Sequence, residues 1–334
     1  MVMKKLFLFI LISSALLGTA SAAQKSRIVN ARDGNVRIVQ FTDTHIDPSS
    51  DYRRMQGEKT FARISKVVRG ERPDLIVFSG DVVTGGPAEA VWRRLVDSLN
   101  VFGVPYVVVL GNHDAEQDLS RREIAGIVTS SALSLNTLNN KGELADVEIL
   151  LRDGDRLSAV YCLDSHDYST IKEIEGYGWF HDSQVAWMRE RNSDLTKSNN
   201  GKPAPALAFF HIPLKEYAEA WRNRENTHIG RAAENECPGA INTGMLAAMI
   251  EGGCVMGTFT GHDHDIDYIV AENGIAMGYG RFSGDDTTYN NLRPGARVIV
   301  LRPGERMFET WIDEDDGRRV DHVWFHDGNI KKSL

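Results

Sequence analysis

Five short blocks of this 334-residue chain carry side chains that bind metals or move protons: Asp43-Thr44-His45, Gly80-Asp81, Gly111-Asn112-His113-Asp114, His211 and Gly261-His262-Asp263-His264. Imidazole nitrogen, carboxylate oxygen and amide oxygen suit Fe, Zn or Mn, and the blocks lack the cysteine that a soft-metal or iron-sulfur site would use. Each residue taken alone has a plain structural role. Asp43 or Asp81 can cap a turn, Asn112 can occupy a left-handed turn, and His211 can be a hydrogen-bonded core histidine. The alternate pair His262 and His264 is only a weak metal signal by itself. The joint pattern is stronger, because every block follows directly on a short apolar run.

Those runs, 36–41, 75–79, 106–110, 206–210 and 255–259, read as buried strands. Between the first three, Phe61, Ile64, Val67 and Val68 recur at helical spacing in 58–68, and Pro87 opens a helix to about Asn100 with Val91, Leu95 and Leu99 on one face. Ser120 and Glu123 form a capping-box pattern at the head of a third helix. Continuous apolar strands separated by amphipathic helices predict a sheet covered by helices. The second half predicts a hairpin of 147–151 and 157–163 joined at Asp153-Gly154-Asp155, a helix near 183–192 and a surface loop at 197–205. Further strands are expected at 266–271, 275–279, 297–301 and 308–312. The carboxyl ends of such strands are where α/β sheets bind ligands. With no repeat, low-complexity tract or linker, one two-sheet α/β domain is expected.

Composition bounds the rest. Apolar residues at 42% and charged residues at 25% describe a globular protein, and a net charge of -8 argues against a nucleic-acid surface. Residues 1–23 combine Lys4 and Lys5, an apolar run and a small-residue end at Ala20, Ser21, Ala22 and Ala23, with cleavage near Ala22. That pattern predicts a cleaved signal peptide and a periplasmic or secreted protein. Its loss removes two lysines and no acids, so 38 basic side chains become 36 against 46 acidic ones. No membrane span is expected in the mature chain 23–334. Of three cysteines, Cys162 reads as a buried thiol, while a pairing of Cys237 with Cys254 is left open.

On its five blocks the chain resembles the calcineurin-like metallophosphoesterase superfamily, from about Arg37 to His264. Leu163-Asp164-Ser165, Tyr177-Gly178-Trp179 and Phe210-His211-Ile212-Pro213-Leu214 are similar to its bacterial and plant purple-acid-phosphatase-like branch. The resemblance implies a single domain over 23–334, folded as a four-layer α/β/β/α sandwich of two mixed sheets flanked by helices. It implies two metal ions, divalent or mixed-valence and of open identity. Asp43, His45 and His264 would hold the first and Asn112, His211 and His262 the second. Asp81 would bridge them, as a carboxylate can across ~3.5–4 Å. Thr84 stands where the purple enzymes have their coloured tyrosine, and His45 is an added histidine, so a calcineurin-type site without tyrosinate colour is expected.

The chemistry then expected is phosphoester hydrolysis: in-line attack of a metal-bridging hydroxide on phosphate monoesters, with diesters as a further class, from small molecules or phosphoproteins. His113, one residue past Asn112, would stabilise the transition state or protonate the leaving oxygen, and Asp114 would orient that imidazole or simply cap a helix. Two other readings compete, a nucleotide or cyclic-nucleotide phosphodiesterase and a silent metal- or phosphate-binding protein. The site walls are expected from His166 and Asp167, from 221–244 and from Tyr279-Gly280-Arg281. Arg281 would be an anion clamp or, more plainly, a solvated surface residue, and His228 a surface residue. Tyr168, Trp179 and Trp221 would stack on substrate or, for Trp179, join the core. The sequence leaves oligomeric state open.

Overall fold

The computed structural model describes residues 27–285 and 292–333, so the signal-type segment 1–22 lies outside the described residues. The first half contains β1 (Ile28–Asn30), β2 (Val36–Phe41), α1 (Asp51–Glu71), β3 (Leu75–Ser79), α2 (Ala88–Phe102), β4 (Tyr106–Val109) and α3 (Arg121–Val128). A hairpin of β5 (Val147–Asp153) and β6 (Arg156–Cys162) leads to α4 (Asp182–Ser198), β7 (Ala206–Phe209), α5 (Glu216–Arg222), β8 (His228–Ile229), α6 (Met245–Gly252) and β9 (Val255–Thr260). The chain ends in β10 (Ile269–Glu272), β11 (Ile275–Tyr279), β12 (Gly295–Leu301), β13 (Met307–Glu314), β14 (Arg319–His326) and β15 (Asn329–Lys332).

Two mixed sheets result, one ordered β1-β5-β6-β7-β9-β11-β10-β8 and the other β15-β14-β13-β12-β2-β3-β4. Alternation along β2 shows why its run is apolar throughout. Val36 and Ile38 face the other sheet with Leu207, Phe209 and Phe259, while Val39 and Phe41 face Ile64, Val67, Trp92 and Leu95 of the flanking helices. On the far side, Tyr161, Ala208 and Tyr279 pack against Met188, Leu195 and Met249 of α4 and α6. A strand buried on both faces has no polar side to show. The layers are helix, sheet, sheet, helix, as the sequence implied.

Several boundaries differ from expectation. Helix α1 starts at Asp51, capped by Ser50, whose side chain accepts from the Arg53 N–H; residues 51–55 are all exposed, Tyr52 and Met55 included, so no buried apolar stripe marks its start. Helix α6 is apolar from Met245 to Ile250, its exposed Ala247 and Ile250 included, and β14 has mostly half-buried or exposed side chains, so neither shows its period. Helix α4 runs into the expected loop at 197–205. Cys237 and Cys254 do not pair: both are free thiols, Cys254 buried with its Sγ toward the Asn192 carbonyl and Cys237 at the surface.

Candidate metal centre

Strands β2, β3 and β4 are mutually parallel, as are β6, β7, β9 and β11, so their carboxyl ends emerge on shared edges. Hydrogen bonds join those edges. Asp43 N–H donates to Gly80 O at 3.0 Å, His45 N–H to Asp81 O at 3.0 Å, and Gly261 N–H to His211 O at 3.1 Å. Gln40 Nε2 donates to Ser79 Oγ in the neighbouring strand at 2.8 Å and, across the sheets, to Thr260 O at 3.1 Å, while His211 Nδ1 reaches across to donate to Ser79 O at 2.8 Å. Asp43, His45, Asp81 and His262 have φ of 50°, 40°, 51° and 78°, a left-handed backbone that aims their side chains sharply off the strands.

Thus the five blocks meet. Ligand-type atoms of Asp43, His45, Asp81 and His264 lie within 4.8 Å of one another, as do those of Asp81, His211 and His262. Asp81 belongs to both groups, with its Oδ2 3.6 Å from His45 Nε2 and 3.2 Å from His211 Nε2. On the Asp43 side, His264 Nε2 stands 3.4 Å from Asp43 Oδ1. His45 Nε2, Asp81 Oδ2, Asn112 Oδ1, His211 Nε2 and His262 Nε2 are buried without a hydrogen-bond partner of proper geometry. Buried polar atoms are ordinarily hydrogen-bonded, and those of His45, Asp81, His211 and His262, drawn together in the two groups, are atoms that a cation would satisfy. The donor set fits two ions that share one carboxylate.

Glycine makes the approach possible. A Cβ on Gly111 would lie 2.2 Å from Asp81 Oδ1, and one on Gly80 2.3 Å from His211 Nδ1. Electrostatics favour the ligand forms of most donors. Burial alone would raise Asp81 and Asp43, but the neighbouring imidazoles, His211 and His45 for Asp81 and His264 and His211 for Asp43, hold both carboxyls below their usual range. Burial, then the charge of His211, pushes His262 down to about 3, and burial lowers His45. His211 moves the other way: despite burial, the Asp81 carboxylate raises it, so without metal this imidazole carries the compensating positive charge.

His113 sits at the mouth, 38% exposed, its ring edge-on to His45 at 5.8 Å. Asp114 is a correction to the sequence reading. Its buried carboxylate accepts from the N–H groups of Gly111, Asp81, Val82 and Val83, so it shapes the bend that presents Asp81 and does not orient His113. Burial, then the Asp81 charge, raises it to about 6 against those backbone bonds. The partner of His113 Nδ1 is Glu116, at 2.6 Å. Tyr168 donates to Glu116 Oε1 at 2.7 Å and accepts from Asn112 Nδ2 at 3.2 Å. Burial, followed by the Glu116 bond, raises its phenol to about 12, so it stays protonated.

Neither reading of Arg281 stands. It is 2% exposed and paired with Asp267 and Glu314, a buried structural cation far from solvent. Trp221 stacks on Tyr268 at 4.2 Å with exposed His228 edge-on to it, so its ring is held by protein neighbours, and Trp179 is half-buried. Tyr177, edge-on to His262 at 4.3 Å, lines the site and was missed. It carries no charge and follows no apolar strand, so only the fold reveals it.

Two helix-flanked mixed sheets with a two-ion donor set at their joined carboxyl edges define a metallophosphoesterase. The chain belongs to the calcineurin-like phosphoesterase family, whose profile matches residues 36–271. It is 28% identical over 326 residues to the probable inactive purple acid phosphatase 28 of Arabidopsis thaliana, covering 85% of this chain and 81% of that protein. It is 27% identical to the phosphatase DCR2 of Saccharomyces cerevisiae, over 92% of this chain and 59% of that one. A dimetal phosphatase from Danio rerio has a similar fold, with a TM-score of 0.58 at 15% identity, covering 87% of this chain and 99% of that one.

Proposed function

We propose that this protein is an exported, dinuclear metal-dependent phosphoesterase that hydrolyses phosphate monoesters, with diesters as a further class. The observation that carries the reading is that Asp81 belongs to two groups of ligand-type side chains at once, one with Asp43, His45 and His264 and the other with His211 and His262. Asp43, His45 and His264 would hold one ion, Asn112, His211 and His262 the other, and Asp81 both. Such ions supply positive charge for phosphate oxygens and acidify a water toward neutral pH. The chain's own residues do the rest. Depressed Asp43 and Asp81 stay ionised as ligands, and His113 at the mouth donates a proton to the departing oxygen. The reading takes 23–334 as one domain, since Asp43 and His264 serve the same cluster. The basic, apolar and small-residue order of 1–22 supports export, and no helix among the described residues is long and apolar enough to cross a membrane.

A relative named probable inactive makes activity the point to test. The site here keeps each donor and His113, which favours hydrolysis over silent binding. The test is a hydrolysis panel of aryl monoesters, aryl diesters and nucleotides on the protein lacking residues 1–22, supplemented with Zn, Mn or Fe, with metal quantified, alongside Asp81→Ala. Two ions per chain and turnover, both lost in Asp81→Ala, are expected. Substoichiometric metal in both proteins, or undiminished turnover in the variant, refutes the shared site. Phosphate binding without hydrolysis by wild type selects the silent-binder reading. Signal-dependent appearance outside the cytoplasm tests export.

A further inference from the structure

We infer that Glu116 and Tyr168 form a hydrogen-bonded relay that fixes two things at once: which nitrogen of His113 faces substrate, and which atom of the Asn112 amide faces the metal. The inference deepens the phosphoesterase reading and, in its kinetic part, rests on it.

The direction of each bond follows from what the groups can give. A carboxylate only accepts, so the 2.6 Å contact between Glu116 Oε2 and His113 Nδ1 requires the proton on Nδ1. Neutral His113 is thereby left with a bare Nε2, so it gives a proton through Nε2 only in its doubly protonated form. The other carboxylate oxygen takes the single Tyr168 proton at 2.7 Å. With that proton spent, the phenol oxygen can only accept, and it does so from Asn112 Nδ2 at 3.2 Å. A flipped amide would set two acceptors against each other, so Oδ1 must point away from Tyr168. Asn112 Oδ1 is indeed the amide atom buried without a partner.

The relay also spans the two sheets. Glu116 follows β4 and Tyr168 follows β6, so the bond between them bridges loops from opposite sheets. Tyr168 is steadied by stacking on Tyr177 at 5.7 Å, and Tyr177 in turn stands against His262. Glu116 and Tyr168 are positioning residues: they act on the reaction through His113 and on the metal through Asn112.

The test uses the zinc-loaded protein and three readouts. Nitrogen NMR of His113 should show the Nδ1–H tautomer in wild type and a mixture in Glu116→Ala; the same tautomer in both overturns the relay at His113. Tyr168→Phe should weaken one of the two zinc ions by about 10–100-fold, the range for lost support of a metal ligand, and leave the other unchanged. Wild-type affinity for both overturns the relay at Asn112. In hydrolysis, Glu116→Ala should lower kcat at nearly constant KM, by about 10–100-fold for an alkyl phosphate and much less for 4-nitrophenyl phosphate, whose leaving oxygen needs no proton. Glu116→Gln, which keeps one acceptor for two donors, should fall between. An equal loss with both esters overturns the role through His113. If wild type hydrolyses neither ester, the monoesterase reading fails, and the tautomer and zinc readouts still decide the relay.

Discussion

Gly111→Ala adds one methyl group, and the structure says where it goes. The new Cβ would stand 2.2 Å from Asp81 Oδ1, 2.6 Å from Asp81 N and 2.7 Å from His211 Nε2, whereas real Cβ atoms essentially never come within 3.0 Å of a neighbour. Two of these are anchored: Asp81 N–H donates to Asp114 at 3.0 Å, and Asp81 Oδ1 accepts from His113 N–H at 2.9 Å. The carboxylate must retreat by most of an ångström and give up that last bond, worth ~1.5–3 kcal/mol for a charged acceptor. Metal affinity should fall about 10–100-fold, the usual effect of disturbing a ligand's support, or ~1.4–2.7 kcal/mol. Gly126→Ala makes the same chemical change in α3 with no atom within 4 Å. It should stabilise the helix by ~0.5–1 kcal/mol and leave metal binding unchanged. Zinc titration against a chromophoric chelator, with thermal denaturation of both variants, makes the comparison. Wild-type zinc affinity in Gly111→Ala would refute the packing argument.

Other consequences can be checked as directly. Asp114→Asn leaves one oxygen for four backbone donors, so stability should drop by ~2 kcal/mol and metal content should fall although Asp114 touches no ion; an unchanged denaturation midpoint would speak against it. Burial raises Asp146 to about 6 from its ordinary 3.8, so the folded state binds the extra proton between those values. Stability of the metal-free protein should therefore fall as pH rises through that window, on the order of 1–2 kcal/mol after solvent screening of the partly exposed group. Denaturant melts of Asp146→Asn should lack that slope, and an identical slope would exclude this carboxyl as its source. A thiol reagent should label one cysteine in the native protein, Cys237, and do so slowly because burial and then Asp263 push its thiol up to about 12. All three should react after denaturation, and two fast native thiols would contradict the buried setting of Cys162 and Cys254.

What the sequence made legible is what local order encodes. Asp43, His45, Asp81, Asn112, His211, His262 and His264 each follow an apolar strand within a few residues, so residue type and strand end together marked the edge where they meet. Glu116 and Tyr168 have no such mark. They lie 52 positions apart and acquire meaning only when the β4 and β6 loops touch. Asp114 was assigned to its chain neighbour His113 because adjacency is all a sequence offers, whereas its bonds run back to the Asp81–Val83 bend. Arg281 was misread for a related reason: its partners are Asp267, just before β10, and Glu314, at the end of β13, and an arginine is exposed or buried according to them.

The joint between the sheets also fixes when ions can be acquired. Asp43 accepts from the backbone of His262, 219 positions later, and Gln40 reaches Thr260 across the same seam. Neither half of the chain owns a complete set of donors, so a nascent or nicked polypeptide presents only scattered histidines and carboxylates of ordinary affinity. Metal capture is therefore a late event, a seal on a finished fold and not a seed for it. The compartment in which the two sheets close, with whatever ions it holds, would then choose the metals that such a site takes up.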